Sequence, residues 1–294
     1  MRSVAAGVLG SAVADLRRVA GGDLNDAYAA RLADGRLVFI KTSADAAPGS
    51  YAAEAAGLRW IAAADGAPAV PEVLAVVDPP GREREPRMLA LSWVHPGQLS
   101  GSGAEVLGRG LAALHRAGAA AYGAAPPGAP DGLRIGPLEL PAGVAATWAE
   151  AYGAFRLRPL ARRAAAHGAL APQGLTAIER LCERLPELAG PTEPPARLHG
   201  DLWGGNVLAD ADGVPYLIDP AAYGGHREID LAMLRLFGGP GERCFSAYAE
   251  AFPLADGHQE RLELWQLFPL LVHAVLFGGG YGERAATVAR RYAG

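Results

Sequence analysis

The sequence predicts an α+β fold of two lobes, in which a small antiparallel β-sheet with one helix precedes a larger, mostly helical lobe. Two observations predict it. Short apolar runs separated by glycine- and aspartate-rich turns fill the first ninety or so residues, whereas apolar residues recur at three- and four-residue spacing in most of the remaining chain. We place the boundary after residue 94, so that residues 1–94 form the first lobe and residues 95–294 form the second.

The first lobe is expected to contain five strands and one helix. Asp34-Gly35 reads as a hairpin turn between the second and third strands, and Pro71 breaks the chain after the helix. The predicted strands cover residues 16–20, 27–32, 36–41, 73–77 and 87–94, and the predicted helix covers residues 51–64.

The second lobe is expected to be a set of helices interrupted by a loop and a short hairpin. Residues 122–140 are rich in proline and glycine and are expected to form a loop, and a short hairpin is expected from residues 207–208 and 215–218. The predicted helices cover residues 105–121, 144–155, 159–167, 175–188, 229–237, 244–252, 260–277 and 284–292.

Composition argues against several kinds of partner. Half of the 294 residues are hydrophobic, the net charge is −4 and the pI is near 6, so there is no basic surface for nucleic acid. No apolar run is long enough to span a membrane, and the amino terminus lacks the pattern of a signal peptide. Cys182 and Cys244 have no metal-ligand spacing and are expected to be buried or incidental thiols. We expect a cytoplasmic protein; the sequence does not set its oligomeric state.

The run His199-Gly200-Asp201-Leu202-Trp203-Gly204-Gly205-Asn206, followed by Asp219, is the most informative part of the sequence. Phosphoryl transfer needs a carboxylate to orient the attacking hydroxyl, and oxygen ligands for Mg²⁺. The catalytic loop of protein kinases supplies Asp and Asn at this same separation, and a second aspartate completes the metal site. We therefore predict Asp201 as the base and Asn206 and Asp219 as Mg²⁺ ligands. The alternative is an ordinary turn rich in Gly, Asp and Asn.

Lys41 is the single lysine of a chain with 26 arginines. A lysine kept under such a bias is expected to do what arginine cannot, because its ammonium is compact whereas the guanidinium is a wide planar fork. Lys41 ends the third predicted strand, where a lysine that holds the phosphates of ATP is expected. With the sheet lobe followed by a helical lobe, this arrangement is the bilobal protein-kinase-like plan, with the nucleotide site between the lobes.

Further nucleotide contacts are predicted around this cleft. Gly21-Gly22 lies between the first two strands, where backbone N–H groups can approach phosphates, and Asn25 follows it; an ordinary β-turn is the alternative. Glu54 could pair with Lys41 and hold it toward the phosphates, or could be a solvated glutamate. The segment from Leu91 to Val94 joins the lobes and could hydrogen-bond an adenine edge through its backbone, and we predict Ser92 and Val94 as the contacts.

The segment after Asp219 is expected to face the second substrate. Asp230 opens a helix, where its carboxylate could cap N–H groups or, as we prefer, brace the catalytic loop together with His199. His226 and Glu228 could contact a polyhydroxylated substrate or could only order the loop. The residues predicted to contact substrate are Trp203, Tyr223, His226 and Glu228.

These residues resemble the fructosamine kinase, or ketosamine 3-kinase, family within the aminoglycoside and choline phosphotransferase-like kinases. The family pattern is approximately HGDLWxGN, then DP, then GHxExDLAMxxLFGG. The chain has HGDLWGGN, then Asp219-Pro220, then GHREIDLAMLRLFGG from Gly225 to Gly239. The similarity extends to Gly21-Gly22, Lys41, Glu54, residues 111–115, Trp148 and residues 155–157. It covers nearly the whole chain and is specific from 199 to 239.

The resemblance implies ATP- and Mg²⁺-dependent phosphorylation of the sugar 3-hydroxyl of a ketosamine, either a small molecule or protein-linked, followed by release of the amine. It favours ribose- or erythrose-derived ketosamines over protein-bound fructosamines. The chain departs from the family at two places. One is the segment between Gly123 and Trp148, where this chain is rich in Pro and Ala, and the other is Tyr223-Gly224-Gly225. Both departures bear on substrate choice.

Two other functions stay open from the sequence. One is a kinase of the same fold that acts on an aminoglycoside, an amino alcohol or another sugar, although the modest acidic excess does not favour a cationic antibiotic. The other is a pseudokinase that binds nucleotide without turnover. The presence of Lys41, Asp201, Asn206 and Asp219 argues against the pseudokinase, because a binding module needs no base.

Overall fold

The first lobe contains the predicted five-stranded antiparallel sheet. A computed structural model describes residues 1–19, 26–43, 45–79, 87–130 and 132–294. The predicted phosphate-loop residues Gly21, Gly22 and Asn25 lie outside these ranges. The strands are β1 (Val13–Val19), β2 (Asp26–Leu32), β3 (Leu37–Thr42), β4 (Val73–Val77) and β5 (Met88–Ser92), in the spatial order β1-β2-β3-β5-β4.

The first lobe has two helices within its described residues, α1 (Arg2–Leu9) and α2 (Ser50–Ala62), so the prediction of one helix is wrong. Helix α1 buries only Ala5 and Leu9, which pack against the sheet beside Leu32 and Val38. Two buried residues in eight give a helical periodicity too weak to recognise in the sequence.

The second lobe is helical, as predicted, with three short strand pairs. The helices are α3 (Gly101–Arg116), α4 (Trp148–Ala151), α5 (Arg158–Ala166), α6 (Pro172–Leu188), α7 (Glu228–Leu236), α8 (Glu242–Ala251), α9 (Leu262–Phe277) and α10 (Tyr281–Ala293), with a π-helix (Tyr152–Leu157) between α4 and α5. The strands are β6 (Leu133–Ile135), β7 (Leu138–Leu140), β8 (Ala196–Leu198), β9 (Val207–Ala209), β10 (Pro215–Leu217) and β11 (Tyr223–Gly225), paired as β6-β7, β8-β11 and β9-β10.

The loop prediction for residues 122–140 is wrong at its carboxyl end, where β6 and β7 form a hairpin. Leu133, Ile135, Leu138 and Leu140 alternate with exposed or half-buried residues and point into the core. Strands of three residues are too short for their alternation to stand out among the surrounding prolines and glycines. The same shortness hid β8 and β11.

Two hydrophobic cores support the second lobe. The larger lies among α5, α6, α9 and α10, and the smaller joins α3, α7 and α8 beneath β10. Cys182 and Cys244 are free thiols buried in these cores, as expected. None of the helices in the described ranges is long and apolar enough to cross a membrane. The sheet ends at Ser92 and α3 begins at Gly101, so the boundary after residue 94 stays a prediction.

Helix α2 is tied to the second lobe. Nη1 of Arg197 donates to the carbonyl oxygen of Trp60 at 2.7 Å, and its guanidinium lies over the Trp60 ring. A Cβ atom on Gly57 would lie 3.1 Å from Pro220, so this glycine lets α2 pack closely against the residue that follows Asp219. These contacts fix the helix that carries Glu54 relative to the catalytic loop.

Candidate active site

The predicted base lies in a tight loop between β8 and β9. Gly200 has a φ of +82°, and a Cβ atom there would lie 1.9 Å from the carbonyl oxygen of Ala221, so the turn needs glycine. Asn206 donates from Nδ2 to the backbone oxygen of Asp201 at 2.8 Å and to its Oδ2 at 3.2 Å. The structure thus brings together the Asp and Asn that the sequence pattern paired.

The loop is held from behind by Asp230, at the start of α7. Its carboxylate accepts hydrogen bonds from the backbone N–H of His199 at 2.7 Å and of Gly200 at 3.0 Å. Nε2 of His199 donates to the carbonyl oxygen of Ile218 at 2.9 Å, which leaves Nδ1 to accept from the N–H of Asp201. Burial lowers the pKa of His199, so it is neutral in this position. These are the contacts that a brace requires.

Burial gives Asp201 an unusual proton affinity for an aspartate. It raises the pKa of Asp201 to about 7, and the nearby Asp219 carboxylate acts in the same direction, whereas the hydrogen bond from Asn206 opposes it. A carboxylate whose pKa lies near neutrality is a stronger base than an ordinary one and is still ionised at neutral pH in a useful fraction.

Lys41 reaches the predicted metal ligand from the sheet. Its Nζ lies 2.9 Å from Oε2 of Glu54 and 3.1 Å from Oδ1 of Asp219. Burial alone would lower the pKa of Lys41, but these two carboxylates raise it above its ordinary value, so the ammonium stays charged. The predicted pairing of Glu54 with Lys41 matches this geometry.

Asn206 and Asp219 offer the oxygen atoms that Mg²⁺ prefers. Because the amide nitrogen of Asn206 donates to Asp201, its amide oxygen is the atom left for a cation. Asp219 has a φ of +54°, the one positive value at a non-glycine residue in the described ranges, and its side chain is 37% exposed. Strain of this kind is typical of functional positions. The two residues therefore fit a magnesium ion.

The two residues predicted to contact adenine are Ser92 and Val94, and the backbone N–H of Ser92 already has a partner. The N–H of Ser92 donates to the carbonyl oxygen of Glu72 at 2.9 Å, and the Ser92 hydroxyl accepts from the N–H of Glu72 at 2.8 Å. The Ser92 N–H is therefore not free to reach an adenine edge, which corrects that part of the prediction. Val94, two residues further on, stays a prediction.

Trp203 is the predicted substrate residue that faces solvent. It is 41% exposed, and its ring lies over Gly205, where a Cβ atom would come within 2.2 Å of the indole. The neighbouring Gly204 packs against the carbonyl oxygen of Gly238, because a Cβ atom there would lie 2.5 Å from it. The catalytic loop thus presents one large aromatic side chain beside Asp201.

The other three predicted substrate residues are buried, and this requires a correction. Tyr223 is 1% exposed and Glu228 is 4% exposed. The Glu228 carboxylate accepts from Nε and Nη2 of Arg261 at 3.0 and 2.7 Å and from Nε1 of Trp265 at 2.7 Å. These side chains have little surface to offer a substrate, and for Glu228 the geometry favours ordering of the loop.

His226 is also buried, 3% exposed, but it lines a small cavity of about 130 Å³ with Trp148 and Tyr122. Its ring stacks on Trp265, and its Nδ1 accepts from the N–H of Glu228 at 3.3 Å. These contacts favour a role for His226 in ordering the loop over direct contact with a substrate.

Sequence reasoning missed two groups of residues near the site. His115, from α3, places Nε2 3.3 Å from Oδ2 of Asp230, and its Nδ1 is 2.8 Å from the hydroxyl of Tyr248. More than one hundred residues separate His115 from Asp230, and no local pattern reports such a contact. A cluster of rings also lies next to Gly238 and comprises Phe237, His273, Phe277 and Tyr281.

Comparison with known proteins decides the family. The model of the fructosamine kinase family matches residues 3–293. The chain belongs to the fructosamine kinase family. The predictions of the family, of a kinase and of its α+β bilobal fold are thereby confirmed.

Individual members show the same relationship. This fructosamine kinase family member is 37% identical over 262 residues to a Thermus thermophilus protein named a probable ketoamine kinase, covering 89% of this chain and 87% of that one. It is 31% identical over 265 residues to a chloroplastic protein-ribulosamine 3-kinase of Arabidopsis thaliana, covering 88% and 77%. A crystal structure from Thermobifida fusca, described as a candidate fructosamine-3-kinase, superposes with a TM-score of 0.88 at 43% identity, covering 100% and 99%.

Proposed function

We propose that this enzyme transfers the γ-phosphate of ATP to a sugar hydroxyl, O3, of a ketosamine, with Mg²⁺ as the cofactor, and that the product then releases its amine. The observation that carries the proposal is the convergence of Asp201, Asn206, Asp219 and Lys41 at one point between the lobes. Family membership and the names of the relatives support a ketosamine as the acceptor. Both small and protein-linked ketosamines are covered by the proposal.

We assign Asp201 the role of the base that accepts the proton of the attacking hydroxyl. Its Oδ2 already accepts from Asn206, so Oδ1 is the atom that accepts from the sugar hydroxyl and takes the proton as phosphate is transferred. Burial raises the pKa of Asp201 to about 7, which brings its basicity close to what the reaction needs at neutral pH. The bonds from Asp230 hold the backbone of the loop in place during this step.

Lys41 is assigned the phosphates of the nucleotide. Glu54 holds the ammonium from one side, so that it does not have to be ordered when the nucleotide binds. Bound Mg²⁺ supplies positive charge that offsets the negative charge of the transferring phosphoryl group. Asn206 and Asp219 would hold that ion, and Lys41 adds a second positive charge next to Asp219.

The acceptor is assigned to the aromatic surface beside the loop. Trp203 is 41% exposed and Phe277 is 54% exposed. A chain of contacts joins the two. Gly204, next to Trp203, packs against Gly238, and the neighbouring Phe237 has its ring centroid 4.4 Å from that of His273, whose ring in turn contacts Phe277. A ketosamine carries a secondary ammonium, and cations are attracted to exposed aromatic faces. The amine end of the substrate is therefore placed against these rings.

His273 adds a hydrogen-bond acceptor to this surface. Its Nδ1 lies 2.8 Å from the carbonyl oxygen of Pro269, so Nδ1 carries the proton and Nε2 is the free acceptor. Burial lowers the pKa of His273, which keeps the ring neutral. A neutral imidazole can accept from the ammonium or from a hydroxyl of the acceptor.

The test is to follow phosphate onto defined acceptors. Purified enzyme with Mg²⁺ and ATP is incubated with a ribulosamine, an erythrulosamine and a fructosamine, each free and linked to a peptide, and products are identified by mass spectrometry. We expect one phosphate per ketosamine, followed by release of free amine, and no reaction with Asp201→Asn. If ketosamines stay unmodified while an aminoglycoside or an amino alcohol is phosphorylated, the proposed substrate is wrong although the kinase activity stands.

A further inference from the structure

Arg156 is a buried cation without a carboxylate next to it in the described ranges. It is 3% exposed and lies in the π-helix between α4 and α5. Its Nη1 donates to the carbonyl oxygen of Phe155 at 3.2 Å, and its Nε has no hydrogen-bond partner among the described residues. The main group facing it is the ring of Tyr223, whose centroid lies 4.4 Å from the guanidinium carbon.

Such an arrangement is not explained by stability. An unpaired buried charge costs several kcal/mol, and an apolar side chain of similar volume is often more stable in its place. Burial lowers the pKa of Arg156, which reports the same penalty on its charged form. π-Helices are rare and occur frequently at functional sites. A buried charge kept without an ionic partner is therefore expected to have a functional role.

Tyr223 connects Arg156 to the catalytic loop. In β11, Tyr223 pairs with Leu198 of β8, the residue before His199. A Cβ atom on Gly200 would lie 3.1 Å from Cδ1 of Tyr223, so the ring lies directly against the peptide that precedes Asp201. The ring of Tyr223 therefore contacts both the catalytic loop, at Gly200, and the guanidinium of Arg156.

The hydroxyl of the same ring is buried and responds to charge on both Arg156 and Asp230. Burial raises the pKa of Tyr223 to about 12, with Arg156 opposing this shift and Asp230 adding to it. Both charges are therefore close enough to act on the phenol. Asp230 is fully buried, and the partners that its carboxylate has in the described structure are two backbone N–H groups and His115.

We propose that Arg156 is a positioning residue for the catalytic loop: it holds the ring of Tyr223 against Gly200 and thereby fixes Asp201 for phosphate transfer. The kinetic part of this proposal rests on the proposed function. Arg156 touches neither the nucleotide ligands nor the exposed acceptor surface around Trp203 and Phe277, so its effect is expected on turnover rather than on binding.

The test combines kinetics, stability and amide exchange. Arg156→Met keeps the length of the side chain and removes the charge. We expect kcat to fall at least about tenfold, KM for ATP to stay within about twofold, the unfolding midpoint not to fall, and the amide protons of His199 and Gly200 to exchange faster by NMR. Arg156→Lys should recover part of kcat. Arg162→Met is the matched control, because Arg162 lies on the next helix with its side chain 66% exposed.

A double-mutant cycle tests the path through Tyr223. Tyr223→Leu should lower kcat as Arg156→Met does, and the double variant should be no slower than the worse single variant, because residues that act through one contact are not additive. A kcat within twofold of wild type in Arg156→Met, additive losses in the double variant, or unchanged exchange of His199 and Gly200 would each overturn the proposal.

Amide exchange separates this proposal from the proposed function, because it needs no acceptor. If the wild-type enzyme phosphorylates no ketosamine but the exchange of His199 and Gly200 rises in Arg156→Met, the substrate assignment fails and the positioning role stands. If Arg156→Met does not fold, Tyr223→Leu carries the same two readouts, and slow exchange of His199 and Gly200 in that variant overturns the proposal.

Discussion

The ammonium of Lys41 lies 3.1 Å from Oδ1 of Asp219. This ion pair joins a strand of the first lobe to the segment after β10 in the second, and it occupies the place between the lobes where phosphates are proposed to bind. The pair therefore predicts that changes at Lys41 act on the nucleotide and not on the acceptor.

Lys41→Arg should weaken ATP binding nearly as much as Lys41→Met. The site holds a compact ammonium between two carboxylates, 2.9 and 3.1 Å away, and a guanidinium is wider and longer. Calorimetric titration of Mg·ATP into each variant measures the loss. Recovery of affinity to within about twofold by Lys41→Arg would refute the argument from the single lysine.

Asp201→Asn should abolish transfer and leave nucleotide binding largely intact. A general base is worth roughly 10²–10⁴-fold in rate, and the amide cannot take the proton of the hydroxyl. Turnover is measured with saturating acceptor, and Asp212→Asn, on the exposed β9-β10 turn, is the control. Wild-type turnover in Asp201→Asn would remove this carboxylate from the mechanism.

Asn206→Ala and Asp219→Ala should weaken Mg·ATP more than metal-free ATP, because each removes one oxygen ligand from a hard cation. Calorimetry with and without Mg²⁺ compares the two, and Asp212→Ala controls for the loss of an exposed carboxylate. Equal losses in both conditions would mean that the two residues bind no metal.

Glu228→Gln should destabilise the protein by about 3–5 kcal/mol, because it breaks a buried ion pair in which Arg261 donates two hydrogen bonds to the carboxylate. KM for the ketosamine should stay close to wild type. Unfolding in urea measures the free energy, and Glu283→Gln at the exposed pair with Arg290 should cost about 0–1 kcal/mol. A stable variant with a raised KM would restore Glu228 as a substrate residue.

The pair of Glu193 and Arg227 should make stability depend on pH. Burial alone would raise the pKa of Glu193, but two hydrogen bonds of 2.6 Å from Arg227 lower it below its ordinary value. A lowered pKa in the folded state stabilises the protein above the unfolded-state pKa, near 4.5. This contribution is lost as the pH falls through the folded-state value.

The measurement for this pair is the free energy of unfolding between pH 7 and pH 3 for wild type and Glu193→Gln. The difference between the two should shrink as the pH falls below about 5, because the carboxyl then takes up a proton more readily in the unfolded state than in the folded state. A difference that does not change over this range would mean that Glu193 adds no pH-dependent stability.

The sequence predicted the parts of the site that depend on local spacing. Asp201 and Asn206 lie in one loop, and Lys41 follows the apolar run of β3 directly, so their convergence follows once the bilobal plan is known. The roles of Tyr223 and Glu228 were not accessible in the same way. Their polar side chains suggested contact with substrate, and only the tertiary packing shows that both are buried. For Glu228 the packing of α9 brings Trp265, and Arg261 just before the helix, to its carboxylate.

The shortest elements limited the fold prediction. Helix α1 buries two residues and the β6-β7 hairpin has three residues per strand, so neither gives a periodic signal above its surroundings. His115 and Arg156 are a different case. Each contacts a residue that packs against the catalytic loop, Asp230 and Tyr223 respectively, and these partners lie too far apart in the chain for one sequence window to contain them.

The burial of Lys41 has a consequence for the durability of the protein itself. Reducing sugars attack unprotonated, accessible amines, and the chain has one lysine, which is 7% exposed and held as an ammonium by two carboxylates. Its arginines are charged at all physiological pH values and do not form ketosamines. Its lysine side chain is thus protected from the glycation that the enzyme is proposed to reverse. At this side chain, the enzyme does not become its own substrate in a sugar-rich solution.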